Sequence, residues 1–100
     1  MNNHVIETVS FKLKADITNE QFLAATKPVT AFLQAQPGFV GRHLSSDGEG
    51  QWLDHVEWKS MEQAQAAAAK FPTDPSLATL GGSLDFETVV MKHSKLMLSH

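Results

Sequence analysis

A chain of 100 residues allows one domain over residues 1–100, and a content of 42% hydrophobic and 19% charged residues predicts a folded chain. Eight basic against eleven acidic residues give a net charge of -3, which argues against a nucleic-acid-binding surface, and the lack of cysteine excludes disulfides and thiol nucleophiles. No apolar run is long enough to span a membrane and the first residues lack the pattern of a signal peptide, so we expect a cytoplasmic protein.

The first predicted elements are a strand and a kinked helix. Apolar and polar side chains alternate over residues 5–13, which is typical of a strand, and Glu7 falls on its apolar face. A capping box formed by Thr18 and Gln21 then predicts a helix that runs from residue 19 to about residue 36. Pro28 removes one hydrogen bond from this helix, so we expect a kink there.

A hairpin is predicted in the middle of the chain. Residues 39–45 and 51–59 have strand composition and are separated by a glycine-rich turn. If this turn is centred on Gly48, Arg42 lies directly opposite Asp54.

The last part of the chain predicts a helix, a short connection and a strand. Ser60 and Gln63 form a second capping box, which opens an alanine-rich helix that ends near Phe71. Residues 76–84 predict a short extra helix, and residues 86–93 predict the fourth strand.

The predicted order is β-α-β-β-α-β, the ferredoxin-like arrangement of an α+β domain. Such a domain has one antiparallel sheet with both helices on one face. The other face of this sheet is not fully polar, and a chain this short buries a modest share of its surface on folding. We therefore expect a homodimer in which the uncovered face packs against a second copy.

The chain resembles the dimeric α+β-barrel superfamily and, within it, the antibiotic biosynthesis monooxygenase-like proteins. The resemblance covers residues 5–93 and is carried by three segments, namely Val5-Ile6-Glu7-Thr8-Val9-Ser10-Phe11, Gln36-Pro37-Gly38-Phe39 and Val56-Glu57-Trp58-Lys59-Ser60. It implies a barrel formed by two sheets across a dimer and a pocket between helices and sheet. Members include cofactor-free oxygenases and haem-degrading enzymes, so the fold does not fix the function.

The haem-degrading branch of the superfamily is not matched by the residues of this chain. That branch has an asparagine on the first strand, a tryptophan on the second helix and a histidine after that helix. Glu7 and Ala67 stand at the first two positions, and residues 72–80 contain no histidine. We therefore expect no haem, and no other cofactor.

Glu7 is the first candidate for catalysis. A carboxylate in an apolar pocket can act as a general base or hydrogen bond to a substrate, since burial disfavours its charged form. In the alternative interpretation, Glu7 faces the edge of the barrel or pairs with a base on a neighbouring strand, because an unpartnered buried charge is costly.

The hairpin supplies further candidates with two interpretations each. Arg42, the one arginine of the chain, is a candidate for binding an anionic substrate, with Asp54 near Glu7 as a catalytic candidate; alternatively the two form an ion pair that fixes the register of the strands. Trp58 shares a face with Trp52 and is a candidate for stacking on an aromatic substrate; alternatively both tryptophans are core or interface residues.

Three histidines lie on three predicted strands. His43 and His55 share a face of the hairpin and are candidates for proton transfer near Glu7, whereas His93 is on the fourth strand. Their spacing matches no metal-binding motif, so we expect no metal site. Met91, also on the fourth strand, completes the substrate-binding candidates, with filling of gaps in the core as the alternative.

Three functions remain open from the sequence. The first is a cofactor-free oxygenase that acts on a small aromatic or quinol-type compound, with Glu7 as the base. The second is a non-catalytic dimer that binds a small hydrophobic ligand. The third is a structural or interaction module.

Overall fold

The computed structural model describes residues 3–99 and contains a four-stranded sheet and four helices. Two short 3-10 turns, residues 71–73 and 75–77, precede the last helix. The elements in chain order are β1 (Val5–Leu13), α1 (Asn19–Ala25), α2 (Lys27–Gln34), β2 (Phe39–Ser46), β3 (Gln51–Trp58), α3 (Met61–Lys70), α4 (Ala78–Ser83) and β4 (Leu84–Lys95).

The sheet has the strand order β2-β3-β1-β4, and every neighbouring pair is antiparallel. The core lies between one face of this sheet and the helices, and its most buried large side chains are Phe22 and Trp58. Ala64 and Ala67 of α3 are also buried, so their small side chains bring this helix close to its neighbours. The predicted ferredoxin-like α+β fold is thus confirmed for the single chain.

The first predicted helix is divided in two. The Thr18 hydroxyl accepts a hydrogen bond from the Gln21 amide at 3.1 Å, and the Gln21 side chain accepts one from the Thr18 amide at 2.8 Å, which confirms the capping box. One helix, α1, ends before Thr26, and α2 continues with Pro28 in its first turn. Proline has no amide hydrogen to donate, so the helix is interrupted where this hydrogen bond is missing.

The register of the β2–β3 hairpin differs from the prediction by two residues. Arg42 lies opposite Val56, and Asp54 lies opposite Leu44. The reason is the turn, which is centred on Glu49 instead of Gly48. The Asp47 carboxylate accepts hydrogen bonds from the amides of Glu49 and Gln51, at 2.7 and 3.1 Å, and closes the turn between residues 47 and 51.

In the second half of the chain the predicted helix and strand are present, but the extra helix is divided and the last strand is longer than predicted. Ser60 caps α3 by accepting a hydrogen bond from the Gln63 amide at 3.2 Å, but the Gln63 side chain contacts the Ser60 hydroxyl rather than its backbone, so the box is incomplete. The short extra helix is split into a 3-10 turn and α4. The last strand extends beyond the predicted residues 86–93 at both ends.

The face of the sheet that points away from the helices is uncovered in the single chain. We call it the open face, defined by residues on the four strands that alternate with the core-facing ones. Its exposed apolar side chains include Leu53, 40% exposed, and Val90, 48% exposed. Among the described helices, none is long and apolar enough to cross a membrane.

Candidate functional site

A cavity of about 320 Å³ lies between the helices and the covered face of the sheet. Most of its wall is apolar, with one side formed by strands and the other by helices and the segment that follows α3. This composition is typical of sites that bind small, largely apolar molecules with a few polar contacts. The apolar wall includes Phe22, Phe32, Leu33, Phe71, Leu80 and Val89.

Glu7 reaches the cavity from the central strand β1. Glu7 is 9% exposed, and one of its carboxylate oxygens, Oε2, lies 2.7 Å from Nε2 of His93. The two residues are directly opposite each other in the β1–β4 register, so both side chains are on the helix-facing side of the sheet. The two interpretations of Glu7 are therefore combined, since the carboxylate faces the helix-side cavity and also pairs with a base on a neighbouring strand.

Arg42 and Asp54 form a second charged group in the cavity wall. The Arg42 Nε donates to both Asp54 oxygens, at 2.9 and 3.1 Å, and Nη2 donates to Oδ2 at 2.6 Å. The residues are diagonal neighbours on adjacent strands, so the ion pair forms although they are not directly opposite. Their side chains are only 10% and 17% exposed, and a guanidinium–carboxylate fork of this kind holds both groups in a fixed orientation.

Trp58 contributes a polar atom without a partner. Its residue is 1% exposed and lines the cavity, and the buried Nε1 has no hydrogen-bond partner in the described part of the chain. The ring packs edge-to-face on Phe39 at 5.9 Å between centroids. Trp52 instead packs on Phe22 at 4.9 Å and does not line the cavity, so both tryptophans belong to the core and Trp58 alone also lines the cavity.

Met91 also lines the cavity, from the edge strand β4. It is 51% exposed, which places it where the cavity meets the surface. A flexible thioether at such a position adapts to ligands of different shape.

His43 and His55 lie outside the cavity. They are directly opposite each other in the hairpin, with ring centroids 6.1 Å apart, and they alternate with the cavity-lining residues of their strands. Their side chains are therefore on the open face, away from Glu7. The histidine beside Glu7 is His93. The sequence pattern did not place it there, because only the pairing of β1 with β4 brings the two residues together.

The cavity combines three polar functions in an apolar enclosure. Glu7 can accept a proton or a hydrogen bond, Arg42 supplies positive charge, and Trp58 has a buried N–H without a partner among residues 3–99. Within residues 3–99, no group of three or more histidine or acidic side chains could hold a metal ion. The arrangement fits a small, mostly apolar molecule with a few polar groups.

No protein-family model and no curated protein matches the sequence. Solved structures do match its fold. The cofactor-independent oxygenase SnoaB from Streptomyces nogalater has a TM-score of 0.72 at 18% identity, and the match covers 98% of this chain and 95% of SnoaB. The ActVA-Orf6 monooxygenase of Streptomyces coelicolor, solved in complex with nanaomycin D, has a TM-score of 0.72 at 15% identity, over 96% of this chain and 89% of that one.

A protein from Bordetella bronchiseptica, provisionally named an antibiotic biosynthesis monooxygenase, has a TM-score of 0.78 at 14% identity, over 97% of this chain and 100% of that one. These likenesses show that the chain has the fold of the antibiotic biosynthesis monooxygenase-like proteins.

Proposed function

We propose that the protein is a cofactor-free oxygenase that acts on a small phenolic or quinol-type aromatic compound. The observation that carries this proposal is the apolar cavity with one carboxylate, Glu7, in its wall. The likeness in fold to SnoaB, a cofactor-independent oxygenase, supports the proposal. The volume of about 320 Å³ has room for a compound of a few fused rings.

The proposed reaction uses the substrate as the source of electrons. Glu7 accepts the proton of a ring hydroxyl, and the electron-rich phenolate adds dioxygen at a ring carbon that carries hydrogen. The resulting peroxide takes the proton back. Loss of the ring hydrogen as a proton and cleavage of the O–O bond then leave a second carbonyl. The ring gains one oxygen and loses two hydrogens, and the other oxygen atom leaves as water.

Each polar group of the cavity has a proposed part in this sequence. The apolar wall excludes water from the phenolate and the peroxide. Arg42 contributes positive charge close to the developing negative oxygen, although its Nε and Nη2 are engaged by Asp54. The unpartnered Nε1 of Trp58 donates to a carbonyl or phenolate oxygen of the substrate.

Oxygen uptake with a panel of naphthols and hydroquinones, measured above the rate without protein, tests the proposal. Glu7→Gln removes the base and is expected to lower kcat by about 100-fold or more, the usual contribution of a general base. Glu87→Gln, a matched change at an exposed position of β4, should leave the rate unchanged. Unaltered turnover by Glu7→Gln would show that Glu7 is not the base.

A second candidate function is favoured by the pairing of both cavity carboxylates. Glu7 is bonded to His93 and Asp54 to Arg42, an arrangement that also fits a site that only binds a ligand. Binding of 1-naphthol, detected by quenching of tryptophan fluorescence, with no oxygen uptake for any compound of the panel would favour this non-catalytic function. In either case the homodimer and the cytoplasmic location are part of the proposal.

A further inference from the structure

His93 contacts Glu7 without lining the cavity itself. Nε2 of His93 lies 2.7 Å from Oε2 of Glu7, and the side chains are 20% and 11% exposed. Glu7 lines the cavity but His93 does not, so the order from cavity to strand edge is carboxylate and then imidazole. His93 itself is on β4, at the edge of the sheet.

The direction of this hydrogen bond follows from the chemistry of the two groups. When Glu7 is an ionised carboxylate it only accepts, and in that form Nε2 of His93 donates its hydrogen to Oε2. The structure gives the other oxygen, Oε1, no hydrogen-bond partner among residues 3–99. One oxygen of Glu7 is therefore fixed, and the other is available to a ligand.

We propose that His93 is a positioning residue that holds Glu7 so that Oε1 accepts a hydrogen bond from a hydroxyl group of the ligand. This inference rests on the proposed function, which places a hydroxylated aromatic in the cavity. A glutamate side chain has several rotatable bonds, and a hydrogen bond to one oxygen removes most of that freedom before the ligand arrives. His93 thereby acts through Glu7 without touching the ligand.

A purely structural role for the pair explains the arrangement less well. The residues of β4 that line the cavity, Leu84, Val89 and Met91, are all apolar. Replacing both partners of a buried hydrogen bond by apolar groups of the same shape can leave stability nearly unchanged. The hydrogen-bonded pair instead lies where β4 is directly opposite the carboxylate of the cavity wall.

The test compares the binding of two ligands that differ by one hydroxyl, 1-naphthol and naphthalene. Their dissociation constants are measured by tryptophan fluorescence for the wild type, His93→Leu, His93→Gln and Lys92→Gln. Leucine keeps apolar volume but cannot donate, whereas the glutamine amide can replace Nε2 as the donor. Lys92 precedes His93 on the same strand and is exposed, so Lys92→Gln is the matched control.

The wild type should prefer 1-naphthol about tenfold, as expected for one hydrogen bond to a charged acceptor. His93→Leu should lose most of this preference, His93→Gln should regain it, and Lys92→Gln should retain it. Equal binding of naphthalene by all four proteins would show that the cavity is intact.

An undiminished preference in His93→Leu, no rescue in His93→Gln or no preference in the wild type would overturn the positioning role. Long-range nitrogen NMR of the wild type adds a test that needs no variant, because a neutral His93 ring protonated on Nδ1 instead of Nε2 would also overturn it. If the wild type shows no oxygen uptake with any compound of the panel but still prefers 1-naphthol, the proposed oxygenase function is overturned and the positioning role of His93 is not.

Discussion

The Arg42–Asp54 pair joins two strands of the sheet and lies in the wall of the cavity. Three hydrogen bonds between 2.6 and 3.1 Å join the two side chains, and both line the cavity. The contact connects β2 to β3 and so supports the hairpin register. It also leaves the Nη1 nitrogen of Arg42 without a bond to the carboxylate, and within residues 3–99 this nitrogen makes one long hydrogen bond, of 3.5 Å, to the Thr30 hydroxyl.

A double-mutant cycle measures the contribution of this pair to stability. Arg42→Met leaves the Asp54 carboxylate largely buried without its partner, so we expect it to lower the free energy of unfolding by about 2 kcal/mol. This is less than the loss for a fully buried pair, because the Asp54 side chain is 17% exposed. Asp54→Leu in the Arg42→Met background should restore part of the loss, which gives a coupling energy of about 1–2 kcal/mol in urea denaturation. Additive single effects would show that the pair is not coupled.

The elements of the fold were predictable where the signal is local. Alternation identified β1, and the hydrogen-bonding chemistry of Thr18 and Gln21 identified the start of α1. The hairpin register was wrong by two residues because the Asp47 side chain sets the centre of the turn. Two residues are one full period of a strand, so the faces of Arg42 and Asp54 were still assigned correctly.

The site was predictable to a smaller extent, because it depends on contacts between distant parts of the chain. Glu7 stood out as a carboxylate on an apolar face, which is a local pattern. Its partner His93 is 86 residues away, and no hairpin turn between β1 and β4 constrains their register. The placement of His43 and His55 likewise required knowing which face of the hairpin the helices cover.

The turn from the first helical region into β2 should depend on glycine at position 38. Gly38 has a φ of +86°, and a Cβ there would lie 2.8 Å from Cβ of Gln63 and closer still to the end of that side chain. Gly38→Ala should therefore lower the free energy of unfolding by about 1–3 kcal/mol, since backbone strain and a close contact add.

Gly41→Ala provides the control for Gly38→Ala. Gly41 is three residues further along the chain, has no positive φ, and a Cβ there would meet no atom within 4 Å. We expect its effect in urea denaturation to be within about 0.5 kcal/mol. Equal effects of the two substitutions would contradict this account of the turn.

At the scale of the whole molecule, the sheet has one face buried and one uncovered. The open face carries Leu53 and Val90, and the edge strand β4 adds exposed Phe86 and Met91. Exposed apolar groups of this kind on a small domain favour association with another surface. The open face is therefore the part of the molecule most suited to the proposed homodimer, and the proposed ligand site lies on the other face of the sheet.

Native mass spectrometry at micromolar concentration tests this division. The wild type should have the mass of two chains, and Leu53→Asp should give a single chain because it places a charge in the proposed interface. Leu23→Asp is the matched control, since Leu23 is 48% exposed on α1, away from the open face, and its variant should remain a dimer. A monomeric wild type would overturn the proposed homodimer, and a Leu53→Asp variant that remains dimeric would place the interface elsewhere. A monomeric Leu53→Asp variant that still binds 1-naphthol would show that the cavity, which lies on the other face, is complete within one chain.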